Sequence, residues 1–160
     1  MGRRAGGLEV RVRAVVQRVA SGAVRVDGNV VGSIGRGLLV YLGVAADDAD
    51  ADVAYIVDKV LHLRIFPDEA GKMNLDVGEA GGEILLVSAF TTQADARKGR
   101  RPSFDAAMPY EAAQALYERV AAELRKGRVT VQTGRYREHM LVDSTNDGPI
   151  CVLLDSRRAF

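Results

Sequence analysis

Residues 12–44, VRAVVQRVASGAVRVDGNVVGSIGRGLLVYLGV, decide the fold of this chain. Valine recurs through the stretch with glycine at short intervals, the pattern of consecutive short strands joined by tight turns. The clearest turn is Asp27-Gly28. It separates Val24-Arg25-Val26 from Asn29-Val30-Val31, and Asp-Gly favours the positive φ angles of a type I′ hairpin. Gly35 and Gly37 then introduce Leu38-Leu39-Val40-Tyr41-Leu42, a continuous apolar run suited to a strand buried on both faces.

Past this stretch the period changes. Between Asp48 and Arg64 the apolar residues Val53, Ile56, Val57, Val60 and Leu61 recur at helical spacing, with Asp47 or Asp48 placed to cap the helix and Pro67 soon after its end. Residues 67–82 mix Pro, Gly, Asp and Glu and read as a long connection to the apolar strand Ile84 to Phe90. A loop from Thr92 to Pro109 follows. Pro109 suits the first turn of a second helix, whose inner face is Ala113, Leu116, Tyr117, Val120, Ala121 and Leu124 and which Gly127 closes. Three strands finish the chain: Val129 to Thr133, Met140 to Thr145, and Ile150 to Leu154. Asn146-Asp147-Gly148-Pro149 has the chemistry of a hairpin turn between the last two. The expected fold class is α+β, a largely antiparallel sheet or partial barrel with two covering helices.

A chain of 160 residues with 48% hydrophobic and 27% charged residues fits one globular domain. Residues 11–156 are the expected domain, 1–10 a flexible extension and 157–160 a tail. Glu9, Arg11 and Arg13 interrupt any apolar core of a signal peptide. The longest apolar run, Leu38 to Ala46, falls far short of the roughly 18 residues that span a bilayer, so no membrane segment is expected. The single cysteine, Cys151, cannot form an internal bridge, which favours a cytoplasmic location.

The net charge of +1 does not announce a nucleic-acid binder, but distribution matters more. Arg97, Lys98, Arg100 and Arg101 crowd together beside Gly99 and Pro102, and such a cluster holds phosphates without a basic total. A zinc site is not expected from His62, His139 and one cysteine, although Asp58 and His62 share a helix face. Gly32-Ser33-Ile34-Gly35-Arg36-Gly37 has neither dinucleotide-loop nor phosphate-loop spacing, and Ser33 lies in no nucleophile elbow. Neither histidine is placed for a nucleophilic triad. No metal and no cofactor is expected. Two polar interruptions of apolar strands remain: Ser88-Ala89-Phe90-Thr91-Thr92, where a strand opens into the basic loop, and Asn146-Asp147-Gly148-Pro149.

From about Val12 to Leu154 the chain resembles the D-aminoacyl-tRNA deacylases. The stretches that carry the resemblance are AVVQRV (14–19), VGSIGRGLLVYLGV (31–44), RIFPDEAGKMNL (64–75), LLVSAFTT (85–92), ADARKGRRPSF (94–104) and NDGP (146–149). In that family a Ser-Gln-Phe-Thr segment and an Asn-x-Gly-Pro-x-Thr segment build the site, and the Gly-Pro bond is cis. The matching positions are Ser88, Ala89, Phe90 and Thr91, then Asn146, Gly148, Pro149 and Cys151. Ala89 replaces the family's Gln and its amide, and Cys151 replaces Thr, a better hydrogen-bond donor. Thr92 and Gln93 stand where Leu and Tyr or Ala are usual.

The resemblance implies hydrolysis of the ester joining a D-amino acid, or glycine, to the 3′-terminal adenosine of tRNA, a chiral proofreading step in translation. Such an ester is already activated, so orienting water and stabilising the oxyanion suffice, with little acid or base chemistry. On that reading the backbone N–H groups of Phe90 and Thr91 are the oxyanion donors and Ser88 positions the loop. The Thr91 hydroxyl lies near the ester without a base partner, and the ribose 2′-OH of the substrate assists. Ala89, Asn146, Gly148 and Pro149 contact the substrate, and Arg97, Lys98, Arg100 and Arg101 hold phosphates of the acceptor end. The implied assembly is a homodimer in which each Gly148-Pro149 loop enters the partner's site and excludes an L side chain. Two rival readings are an editing relative acting on another mischarged L-aminoacyl-tRNA and a catalytically silent tRNA-binding protein.

Overall fold

The structure is a computed structural model that describes residues 11–45, 50–105 and 107–159. In chain order these form β1 (Arg11–Val26), β2 (Asn29–Ile34), β3 (Gly37–Ala45), α1 (Asp50–His62), β4 (Phe66–Pro67), β5 (Met73–Leu75) and β6 (Glu83–Ser88). A 3-10 helix (Phe90–Gln93), α2 (Tyr110–Arg125), β7 (Val131–Thr133) and β8 (Leu141–Asp155) complete them. The expected extension 1–10 and the caps Asp47 and Asp48 lie outside the described residues.

β1 is the axis of the sheet. Along one edge it pairs first with β3 and then with β2, and along the other it pairs with β8, all antiparallel. β6 joins β3 and β7 joins β6 in parallel. β2 returns beside β7, so the mixed sheet nearly closes into a barrel. The β1–β2 turn has the form the sequence dictates, with Asp27 and Gly28 at φ 50 and 79. Residues 67–82, expected as a long connection, hold β5, which pairs with β4 in a short hairpin.

The apolar run of β3 faces two cores. Leu38, Val40, Leu42 and Val44 pack with Ile84 and Leu86 of β6 against α1 and α2, through Val53, Ile56 and Val60 of the first helix and Tyr117, Val120, Ala121 and Leu124 of the second. Leu39 points the other way and meets Val19, Val24, Ile34, Leu85 and Val87 inside the barrel. Period-2 alternation thus fills both faces, and burying an aliphatic side chain there contributes about 1.5–3 kcal/mol.

The expected terminal hairpin does not form. Residues 141–155 are one strand, and Asn146-Asp147-Gly148-Pro149 is a bulge within it. Between the pairs Gln17–Cys151 and Val19–Asn146, β1 advances two residues while β8 advances five. The segment has turn chemistry, but β1 continues past the bulge and re-engages β8 on the far side, so the chain does not reverse. Opposite charges mark this ladder. Arg25 meets Asp143 at 2.9 Å, Arg18 meets Asp147 at 3.3 Å, and Arg11 and Arg13 meet the fully buried Asp155 at 3.1 and 2.9 Å.

Candidate active site

β6 ends at Ser88, two residues earlier than the sequence suggests, because the chain there tightens into the 3-10 helix. Ser88 is paired with Leu42, and the Ala89 N–H donates to the Leu42 carbonyl at 2.7 Å, so the turn starts from a fixed point on β3. The Thr92 N–H returns to the Ala89 carbonyl at 3.1 Å. Phe90 and Thr91 open this helix, where the first N–H groups have no intrahelical acceptor. Among the described residues neither amide has a hydrogen-bond partner.

Gln93, which the sequence left without a role, anchors the segment. Its buried amide donates to the Gly43 carbonyl at 3.0 Å and to the Arg11 carbonyl at 3.3 Å, tying the helix to β3 and β1. Arg13 adds a bond to the Thr92 carbonyl at 3.3 Å. The Thr92 Oγ1 is buried without a partner among the described residues. Opposite outcomes are therefore expected from urea unfolding. Gln93→Leu forfeits two anchoring bonds and lowers stability by about 1–3 kcal/mol, whereas Thr92→Val removes an unsatisfied hydroxyl and raises it by about 1 kcal/mol. An unchanged midpoint in both variants would contradict this account of the anchor.

Ser88, Ala89, Phe90 and Thr91 line a cavity of about 470 Å³. Its wall is apolar and aromatic, from Val44, Val87, Met108, Ala113, Tyr117 and Tyr136, and its rim carries Tyr41, Tyr110, Arg137, Glu138 and His139. The Tyr117 hydroxyl donates to the Leu86 carbonyl at 2.7 Å, and burial pushes its ionisation far upward, so it stays a neutral donor. Tyr136 donates to the Tyr110 carbonyl at 2.7 Å and closes one end of the cavity. Nothing in the isolated sequence joins residues 136–140 to Ser88; the pairing of β6 with β7 does so. Among the described residues no group of His, Cys, Asp or Glu is placed to hold a metal.

The second polar segment lies elsewhere. Asn146, Gly148 and Pro149 are not in the wall of this cavity. They form the β8 bulge, whose Gly148–Pro149 bond is cis and whose Gly148 has φ 134. The Asn146 carboxamide oxygen accepts the Ile150 N–H at 2.8 Å across the bulge. Beneath it Arg18, which the sequence did not single out, donates to the Asp147 carbonyl at 3.2 Å and to the Ile65 carbonyl at 2.7 Å. Gly148 and Pro149 face solvent.

The basic loop also divides. Arg97 is held by Asp95 through two bonds of 2.9 and 2.7 Å, and that guanidinium keeps the Asp95 carboxyl well below the usual carboxylate range. Lys98, Arg100 and Arg101 are exposed and have no ion-pair partner among the described residues.

A family model described as D-Tyr-tRNA(Tyr) deacylase matches residues 15–155. The chain belongs to the D-aminoacyl-tRNA deacylase family. Family members from Anaeromyxobacter dehalogenans (strain 2CP-C) and Clostridioides difficile (strain 630), both named D-aminoacyl-tRNA deacylase, are 58% and 53% identical. Each match covers 93% of this chain and 100% of the relative. The solved structure of a c-Myc DNA Unwinding Element Binding Protein superposes with TM-score 0.84 at 39% identity, covering 89% of this chain and 97% of the other. A probable eukaryotic D-amino acid tRNA deacylase shares the fold at TM-score 0.80 and 19% identity, over 91% of this chain and 99% of that one. As a D-aminoacyl-tRNA deacylase the chain is a hydrolase of the ester bond of D-aminoacyl-tRNA, a proofreading step in translation, with tRNA as its substrate.

Proposed function

We propose that this hydrolysis takes place in the cavity at Ser88–Thr91, with the Phe90 and Thr91 N–H groups receiving the oxyanion and Ser88 and Ala89 shaping the floor beneath the ester. The observation that carries the reading is the pair of partnerless amides on residues that line an apolar cavity. A donor fixed before reaction, beside an apolar wall, stabilises developing charge without reorganising. Among the described residues the Thr91 hydroxyl has no hydrogen-bond partner to act as its base, so water activated with help from the substrate's 2′-OH is the nucleophile. Glycyl esters are accepted with D-aminoacyl esters, because the site rejects a side chain only on the L side.

The active form is a homodimer in which the Asn146–Pro149 bulge of one protomer completes the cavity of its partner. Gly148 and Pro149 of the bulge are exposed and stand away from their own cavity, which is what a device acting on a second copy requires. Gly148 presents backbone rather than side chain, and rigid carbonyls occupy the L side-chain position while accepting the substrate ammonium. Lys98, Arg100 and Arg101, with Arg97 where Asp95 releases it, hold acceptor phosphates. Translation supplies the substrate, which assigns the enzyme to the cytoplasm.

Hydrolysis of tRNA esters of D-Tyr, Gly and L-Ser tests the reading. D-Tyr and Gly esters are cleaved and the L-Ser ester survives. Cleavage of the L-Ser ester alone would make the chain an editing relative of other specificity. Binding without turnover would make it a silent nucleic-acid binder, the second reading, which the name of the 39% identical relative favours. In the same assay, replacing Lys98, Arg100 and Arg101 with Ala raises KM and flattens its salt dependence, the slope of log KM against log salt falling by up to about 0.9 for each phosphate left without its cation, while Thr91→Ala lowers kcat modestly. A loop variant with unchanged KM at every salt concentration would move the tRNA to another surface.

A further inference from the structure

Aromatic rings and one guanidinium form a row along the rim of the cavity and out to the basic loop. Phe104 and Phe90 meet edge to face with centroids 5.1 Å apart, Phe90 and Tyr110 likewise at 6.3 Å, and the Arg137 guanidinium sits over the Tyr110 ring at 4.2 Å. The four residues come from four segments: the basic loop, the 3-10 helix, the start of α2 and the turn before β8. Phe90 and Tyr110 are 45% and 46% exposed, so their packing into the core does not explain them. Arg137 is exposed, pairs with no carboxylate among the described residues, and adopts φ 65, a conformation uncommon for a residue with a side chain.

We infer that this row is a stacking surface for single-stranded nucleic acid and that it takes the base preceding the terminal adenosine of the acyl-tRNA. The inference rests on the proposed placement of the ester at Phe90 and Thr91. With the ester there, the terminal nucleoside fills the mouth, and the single-stranded nucleotides before it leave over the rim. A guanidinium held over a tyrosine ring is a plane on which a base can stack, and it carries the charge that the adjoining phosphate needs. Lysine has no such plane. Glu138 follows in the chain and lines the same cavity, adding an acceptor of the kind that pairs with the exocyclic amine of cytosine or adenine. An acidic residue at the rim thus suits a base there, where it would oppose a bare phosphate.

Two substrates separate this surface from the catalytic site: the D-Tyr ester of adenosine alone and D-Tyr-tRNA. Tyr110→Ala, Arg137→Ala and Arg137→Lys are each expected to raise KM for the tRNA substrate roughly tenfold, in keeping with the loss of one stacked base, with kcat unchanged. All three keep the wild-type kcat on the adenosine ester, with a much smaller rise in KM than on tRNA, which also shows that they fold. Equal losses on both substrates, or a wild-type KM for Arg137→Lys, would overturn the inference. If the wild type hydrolyses neither ester, the placement of the reaction fails instead. The surface is then judged by binding of a CCA trinucleotide, which the three variants weaken if the row stacks a base and leave unchanged if it does not.

Discussion

Gly43→Ala is expected to lower kcat at least about a hundredfold while the barrel still forms, because this glycine is the point on which the candidate oxyanion site rests. A Cβ on Gly43 would lie 1.8 Å from the Thr92 Oγ1 and 2.6 Å from the Ala89 carbonyl oxygen. Both approaches are forbidden, so one side must move. β3 is held on one edge by β1 and on the other by β6, whereas the 3-10 helix is a single turn at the start of a loop. The helix yields and carries the Phe90 and Thr91 amides with it. A displacement of about 1 Å at reacting groups costs on the order of a hundredfold in rate, and overpacking at such a site costs about 1–3 kcal/mol in stability. Circular dichroism and urea unfolding report the retained fold, and single-turnover hydrolysis reports the loss. Near-normal turnover would mean that the amides of this turn do not serve the reaction.

The other large effect is a gain produced by mixing two inactive proteins. Gly148→Val is expected to abolish activity, since a Cβ there would lie 2.7 Å from the Ile150 Cγ1 on a backbone at φ 134 that side chains rarely adopt. Alone, neither this variant nor Gly43→Ala hydrolyses D-aminoacyl-tRNA appreciably. Co-produced, they pair at random, and half of the dimers are mixed. In a mixed dimer one cavity has an intact turn from the Gly148→Val protomer and an intact bulge from the Gly43→Ala protomer. About a quarter of wild-type activity returns. A site assembled within one chain gives no recovery at any ratio, so an inactive mixture would sink the exchange of bulges between protomers.

Most of the framework is legible in local pattern. The double-sided run at Leu38–Leu42, the Asp27-Gly28 turn and the two helices each announce themselves within a few residues, and all form as expected. What stays hidden depends on partners distant in the chain. Asn146-Asp147-Gly148-Pro149 has turn chemistry, and only the length of β1 opposite it turns a reversal into a bulge. Gln93 carries no local mark of its role, because its amide reaches carbonyls on β1 and β3, 82 and 50 residues away in sequence. The rim at Tyr136–Met140 joins Ser88–Thr91 only through the crossover that sets β7 beside β6. The two polar segments themselves are legible as exceptions, since hydroxyls and an Asn-Asp pair interrupt otherwise apolar strands.

The arginines of β1 and the aspartates of β8 have a consequence for how the chain folds. The two strands are the first and last of the domain, so the longest ladder closes only after the whole chain has been synthesised. Pairings of such sequence separation make folding slow, because the loop entropy is lost before the strands begin to pair. Until then one edge of β1 stands open to other copies of itself. Arg11, Arg13, Arg18 and Arg25 lie along that edge, and like charges on an unpaired strand repel a second copy. When β8 arrives, Asp143 meets Arg25, Asp147 meets Arg18 and Asp155 meets both Arg11 and Arg13, pairings that reject a slipped register. The same side chains guard the nascent chain from aggregation and then lock its final strand in place.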